Sequence, residues 1–214
     1  MTRMIFVRHG ESTGNLWRRF YGQTDGALTE RGVEQAKLTA AHLKNTHIDA
    51  AYASDLIRAY ETGKIIAECH GLIPTPCEGL REIYAGEWED CPFEMLVSKF
   101  SESFGVWMRD IAASRPDGGE SVAELAARVS DTVWHLAAEN DKKTLLIATH
   151  ATPIRALECE WRGLPISDMT SLSWVPNASV SVVDYDTASH KVIPITIGDA
   201  SFMGELVTKI PEKL

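Results

Sequence analysis

The stretch MIFVRHG, residues 4–10, constrains the fold more than any other: a short apolar run rich in β-formers meets an arginine, a histidine and a glycine with no polar transition. Such a run is too short for a helix and reads as a buried strand. Arg8 and His9 then stand where the strand surfaces. A second run of the same kind, TLLIAT at 144–149, is followed directly by His150. In an open α/β sheet, ligands bind beyond the carboxyl ends of the strands. Two strand-end histidines are therefore candidates for one site.

The rest of the chain alternates strand and helix, which is the α/β signature. After a Gly-bearing loop, LTERGVEQAKLTAAHLK predicts a helix to about Lys44, with Thr29 as N-cap and Glu30 in its first turn. AAYAS at 50–54 predicts a short strand, and the helix that follows ends near Gly71. Ser121 and Glu124 have capping-box spacing at the head of another helix. Beyond His150, Thr152 is the expected N-cap, Pro153 the first helical residue and Gly163 the stop. ASVSVVDYD and KVIPITIG alternate as an antiparallel hairpin. Periodicity fails near 74–92, and about 90–118 reads as a helical insertion in an otherwise single domain, 1–214.

Composition narrows the partners. A hydrophobic fraction of 44% can fill a core, and a net charge of −9 argues against nucleic acid or an anionic membrane as the main partner. Any anion must be met by local positive charge. Cys69, Cys77, Cys91 and Cys159 form no CxxC pair, which favours free thiols over a disulfide framework or a zinc site. The apolar stretch at the N-terminus is too brief for a signal peptide, and no segment reaches membrane-spanning length. A cytoplasmic location is the expectation.

Arg58 lies early in the helix after the third strand and joins Arg8, His9 and His150 at the same end of the sheet. Guanidinium groups and helix N-termini both direct positive charge at an anion, and in an acidic protein such a cluster suits a phosphate. Phosphoryl transfer needs positive donors, an in-line nucleophile and a proton for the leaving oxygen. A neutral imidazole can serve as the nucleophile, and neighbouring guanidinium groups keep it neutral. Glu82, in the irregular LREIYAGEWE, is a candidate acid if an apolar surround raises its pKa.

These residues, with RHGE at 8–11, Asn15, GQTDGALTERG at 22–32, SDLIRAYET at 54–62, GGES at 118–121 and THATPIRAL at 149–157, resemble the histidine phosphatase superfamily of phosphoglycerate-mutase-like proteins. The resemblance spans nearly the whole chain. It implies a three-layer α/β/α sandwich around a mixed, mainly parallel sheet. It also implies that His9 is phosphorylated, that Arg8, Arg58 and His150 surround the phosphoryl group, that Glu82 is the acid, and that Asn15 and Gln23 contact phosphate. Ala151 stands where the family usually has glycine, a change that keeps the backbone N–H. The segment EWEDCPFEMLVSKF lacks the Arg-rich insertion of family mutases, which favours hydrolysis of a small phosphorylated metabolite over mutase transfer. A silent phosphate- or protein-binding module is the further alternative. No metal or other cofactor is implied, and a homodimer is left open.

The remaining residues have plainer readings. Glu11 supports its loop, Glu87 and Glu89 are reserve acids, and Arg19 either reaches a second anion or holds its own loop. Trp17, Phe20, Tyr21, Tyr84 and Trp88 either line a pocket or join the core, the commoner fate of aromatics. His42, His47, His70, His135 and His190 match no motif.

Overall fold

The computed structural model describes residues 1–208. Its main sheet comprises β1 (Thr2–Arg8), β3 (Ala50–Ala53), β4 (Thr75–Pro76), β6 (Thr144–Thr149), β7 (Val180–Asp186) and β8 (Lys191–Asp199). The spatial order is β4-β3-β6-β1-β7-β8. The first four of these run parallel, and β7 and β8 continue antiparallel as the expected closing hairpin. A separate two-stranded ribbon pairs β2 (Arg19–Phe20) with β5 (Cys91–Pro92), which local patterning does not predict because each strand has only two residues.

Strict alternation in the buried strands divides the core into two faces. Met4 and Phe6 of β1 and Leu145 and Ile147 of β6 face one cluster, whereas Ile5, Val7 and Leu146 face the other. The second cluster is closed by α2 (Glu30–Leu43) and α3 (Ile57–Glu68), through Ala40, Leu43, Ile66 and Ala67. The first is closed by α6 (Val122–Glu139) and α7 (Ala151–Trp161), with Val129, Val133, Ile154 and Trp161. This is the three-layer α/β/α sandwich. A one-turn helix, α1 (Thr13–Leu16), follows β1, while α4 (Phe93–Lys99) and α5 (Ser101–Arg109) fill the stretch after β5. Leu96, Phe104 and Trp107 from these two helices are buried in the same cluster as the sheet face, so the segment packs as core. No helix among the described residues is long and apolar enough to cross a membrane.

Helix ends follow the capping signals with one exception. Thr29 Oγ1 accepts from Gly32 N at 3.0 Å, and Ser121 and Glu124 make the reciprocal pair that heads α6. Gly71 and Gly163 adopt positive φ just beyond α3 and α7. The exception is the start of α7, where the N-cap is His150 and not Thr152. Pro153 is the third helical residue, and its missing N–H removes no bond because the first-turn donors have no intrahelical acceptor. The Thr152 N–H is satisfied instead by the Glu82 carboxylate at 3.3 Å.

The loop after β1 passes very close to the first turn of α2. A Cβ on Gly32 would lie 2.0 Å from the Glu11 carbonyl oxygen, and one on Gly10 would lie 2.4 Å from that of Gly32. Both neighbours are backbone, so neither can turn aside. Gly32→Ala is expected to cost about 1–3 kcal/mol, the usual range for overpacking. The urea denaturation midpoint checks this, and an unchanged midpoint would show that the loop and helix separate freely.

Candidate active site

The two histidines meet because of strand register. β1 and β6 pair in parallel from Arg3 opposite Thr144 to Arg8 opposite Thr149, and His9 N extends the ladder to the Thr149 carbonyl at 2.9 Å. His9 and His150 therefore leave neighbouring strands at the same level, their ring centroids 5.2 Å apart. His9 Nδ1 lies 2.7 Å from the Gly10 carbonyl. A carbonyl only accepts, so Nδ1 carries the proton and Nε2 keeps the lone pair. His150 Nε2 lies 2.8 Å from Ser54 Oγ, while its buried Nδ1 has no partner among the described residues.

Arg8 and Arg58 supply the charge. Arg8 Nη1 donates to the Val175 carbonyl at 2.6 Å, and its buried Nε is unpartnered. Arg58, in the first turn of α3, donates to the carbonyls of Thr24 and Gly22 at 2.9 and 2.7 Å. Burial lowers the Arg8 guanidinium to about 10, against the pull of Glu82. The same burial, reinforced by both arginines, holds His9 and His150 well below the usual histidine range. Both imidazoles are neutral at pH 7.

Glu82 is carried by a loop, and several groups fix it. Its Oε1 accepts from Ile83 N at 2.8 Å and its Oε2 from Thr152 N, so it caps α7. Arg128 from α6 donates to the carbonyls of Gly79 and Arg81 at 2.9 and 3.2 Å, and pairs with Glu120. Desolvation raises the Glu82 pKa despite these donors and the nearby Arg58. A carboxyl raised in this way can hold a proton beside a phosphate site.

The other expected contacts divide. Asn15 lines the cleft, and its Oδ1 accepts from Ser12 N, Ser12 Oγ and Asn177 Nδ2, which leaves its own Nδ2 as a spare donor. Ala151 lines the cleft at the N-terminus of α7. Gln23 is not among the residues that line the cleft, and its amide donates to the Glu82 carbonyl at 3.1 Å. Glu89 accepts from the backbone N–H groups of Gln23, Thr24 and Ala85, which makes it a clamp for both loops. Glu87 is exposed, 4.0 Å from Lys99. Arg19 pairs with Asp90 across the β2–β5 ribbon at 2.5 Å and so holds its own loop. Glu11 accepts from Thr29 Oγ1 at 2.8 Å, as a loop support would.

Several supporting residues escaped the sequence reading. Asn177 Nδ2 donates to the His9 carbonyl at 3.0 Å, Thr62 Oγ1 accepts from Gly10 N at 3.0 Å, and Gln35 Oε1 accepts from Glu11 N at 2.8 Å. Each lies far along the chain from the loop it holds; Asn177 and Gln35 are in ordinary turn or helical sequence with no local signal, and Thr62 ends the SDLIRAYET stretch, which gives it no role by itself. The cleft that holds these groups has a volume of about 530 Å³, and its lining also includes Phe20, Tyr21, Phe93, Trp107 and Trp174 together with Arg18 and Arg19. Trp88 is core, whereas Trp17 and Tyr84 are exposed.

The fold and its centre define a class: a three-layer α/β protein whose strand ends gather a paired-histidine, paired-arginine cluster with one enclosed carboxyl. The chain belongs to the histidine phosphatase superfamily, branch 1, whose family model matches residues 4–195. It is 32% identical over 197 residues to phosphoserine phosphatase 1 of Hydrogenobacter thermophilus, covering 92% of this chain and 93% of that one. It is 35% identical over 188 residues to a probable phosphoglycerate mutase, GpmB, of Yersinia pestis, covering 86% of each. Among solved structures, Bacillus stearothermophilus YhfR superposes with a TM-score of 0.90 at 26% identity, over 95% of this chain and all of that one. A mycobacterial glucosyl-3-phosphoglycerate phosphatase superposes with a TM-score of 0.82 at 27% identity, over 92% of this chain and 99% of that one.

The depressed histidines make stability pH-dependent. Below pH about 6.5 the unfolded chain binds protons that folded His9 and His150 refuse, so stability falls as pH drops toward their folded values. Glu82 acts in the opposite sense, gaining its proton earlier in the folded state. Each histidine contributes a slope of up to about 1.4 kcal/mol per pH unit. Urea unfolding between pH 7 and 5 is expected to show this decline, and a His9→Asn, His150→Asn variant a flatter profile. Identical slopes would contradict burial of neutral imidazoles.

Proposed function

We propose that the protein is a phosphatase that hydrolyses a small phosphate monoester through a phosphohistidine on His9, with Glu82 as general acid. The observation that carries this reading is the disposition of His9: Nδ1 is committed to the Gly10 carbonyl, and Nε2 is a lone pair on a ring held neutral between Arg8 and Arg58. In the first step His9 Nε2 attacks phosphorus, the P–O bond to the alcohol breaks, and Glu82 gives its proton to the leaving oxygen. In the second, the Glu82 carboxylate takes a proton from water, the new oxygen bonds to phosphorus, and the P–N bond breaks to return neutral His9. Arg8, Arg58, Asn15 Nδ2 and the Ala151 N–H, with no intrahelical acceptor, are suited to the equatorial oxygens.

The aromatic wall narrows the alcohol. A cleft of about 530 Å³ is far larger than a phosphate, and five aromatic residues, with Arg18 and Arg19 among them, line it beyond the paired histidines. Trp174 is backed by the Arg155 guanidinium at 4.3 Å and stacks near Trp107 at 6.5 Å, so this surface is firmly held. The aromatic rings suit esters of a bulky apolar or planar alcohol. The free thiols of all four cysteines support a reducing, cytoplasmic setting.

His9→Ala is expected to fold and to lose the acid-labile phosphoenzyme detectable by rapid quench; undiminished phosphate release would overturn the mechanism. Glu82→Gln should slow the burst with an alkyl phosphate by about a hundredfold, the usual worth of a general acid, while a nitrophenyl ester suffers much less. Trp174→Ala should lower kcat/KM for naphthyl phosphate more than for glycerol phosphate. Interconversion of 2- and 3-phosphoglycerate without phosphate release would assign mutase transfer instead.

A further inference from the structure

We propose that Ser54 is a positioning residue that donates its hydroxyl proton to His150 Nε2, fixing His150 with its proton on Nδ1 and so giving the site one histidine lone pair and one histidine N–H donor. The consequence for turnover rests on the phosphohistidine reading above, but the tautomer itself does not. Ser54 stands one residue beyond β3, fully buried, with its own N–H bonded to the Ala148 carbonyl of β6 at 2.9 Å. Its Oγ is 2.8 Å from His150 Nε2 and accepts from Leu56 N at 3.3 Å.

Counting donors decides the direction of the Ser54–His150 bond. If His150 Nε2 carried the proton, the Ser54 hydroxyl hydrogen would have no acceptor among the described residues, and the lone pair on His150 Nδ1 would be stranded as well. Two buried groups would then be unsatisfied. If Ser54 donates, only the Nδ1–H of His150 is left over. That single donor lies on a ring 5.2 Å from His9 and answers to an anion seated there.

The two histidines thus hold complementary forms for local reasons. The Gly10 carbonyl sets His9 to present a lone pair at Nε2, and the Ser54 hydroxyl sets His150 to present a proton at Nδ1. With His9 as it is, the opposite tautomer of His150 would leave the pair two lone pairs and no histidine N–H for an anion. Burial and the adjacent guanidinium groups keep both rings neutral, so a tautomer is fixed and not averaged through the imidazolium.

Long-range ¹H–¹⁵N NMR on histidine-labelled resting protein reads the tautomer directly, with no substrate present. The expected result is a pyridine-type Nε2 and a pyrrole-type Nδ1 for His150, assigned by its loss in His150→Asn. In Ser54→Ala this pattern should shift toward the opposite tautomer, and the Kd for orthophosphate by calorimetry should weaken about tenfold or more, as for loss of a hydrogen bond to a charged group. Ser54→Thr, which keeps the hydroxyl, should restore both. A protonated Nε2 in the wild-type protein overturns the proposal outright. So does a Ser54→Ala variant that loses stability yet keeps the tautomer and the orthophosphate Kd, the behaviour of a merely structural serine. Because neither readout uses turnover, failure to trap phosphohistidine would count against the function alone.

Discussion

The parallel pairing of β1 with β6 is the interaction on which the centre depends. A parallel ladder sets both strands running the same way, and its register brings His9 and His150 to one level at their carboxyl ends. A slip of one residue would turn every β1 side chain to the other face, sending Met4 and Phe6 toward α2 and α3 and moving His9 out of line with His150. Such a slip is resisted by the whole core, because Phe6 packs on Trp161 of α7 at 5.0 Å and Ile5 and Val7 are matched to the smaller residues opposite. The core therefore stabilises the site geometry along with the fold.

The second constraint is charge. Burying Arg8 and Arg58 is by itself unfavourable, and the structure offsets it with carbonyls: Val175, Gly22 and Thr24 each accept from a guanidinium. This satisfies the groups that position the arginines and leaves Arg8 Nε without a partner. A protein of net charge −9 thus keeps a local basic centre by burying it among fixed carbonyl dipoles. Burial, and with it the same field, depresses both histidines, so the charge that would bind an anion also favours neutral imidazoles beside it.

What was legible in the sequence is what is local. The apolar runs ending in His9 and His150, the caps at Thr29 and Ser121 and the closing hairpin each follow from neighbours within a few residues. The start of α7 was misread because Thr152 and Pro153 form a good cap signal, whereas the group that satisfies the Thr152 N–H comes from Glu82, 70 residues away. Asn177 and Gln35 carry no mark for the same reason, and Ser54 and Thr62 stand at the two ends of the SDLIRAYET stretch without that stretch showing what either one holds. Their partners are set by topology, and a polar residue in a helix or turn carries no mark of which distant backbone it will meet. Gln23 shows the converse, since a motif position fixes where the backbone goes and leaves the side chain free to serve Glu82 instead of the cleft.

The division between strand-end residues and loop-borne ones also has a mechanical meaning. Arg8, His9 and His150 are set by the sheet, whose hydrogen bonds continue through His9 N itself, and Arg58 by the first turn of a helix packed on it. Glu82 has no such rail. It is placed by Arg128 gripping the carbonyls around it, by Glu89 tying the 85 and 23–24 backbones together, and by the N-terminus of α7. These are hydrogen bonds to loop backbone, each individually modest, and opening any one costs less than shifting a strand. The strand-end cluster is consequently the rigid half of the centre and the Glu82 loop the adjustable half. Under the proposed phosphatase reading, that order suits a carboxyl whose reach could follow the alcohol while the phosphoryl group stays in one place.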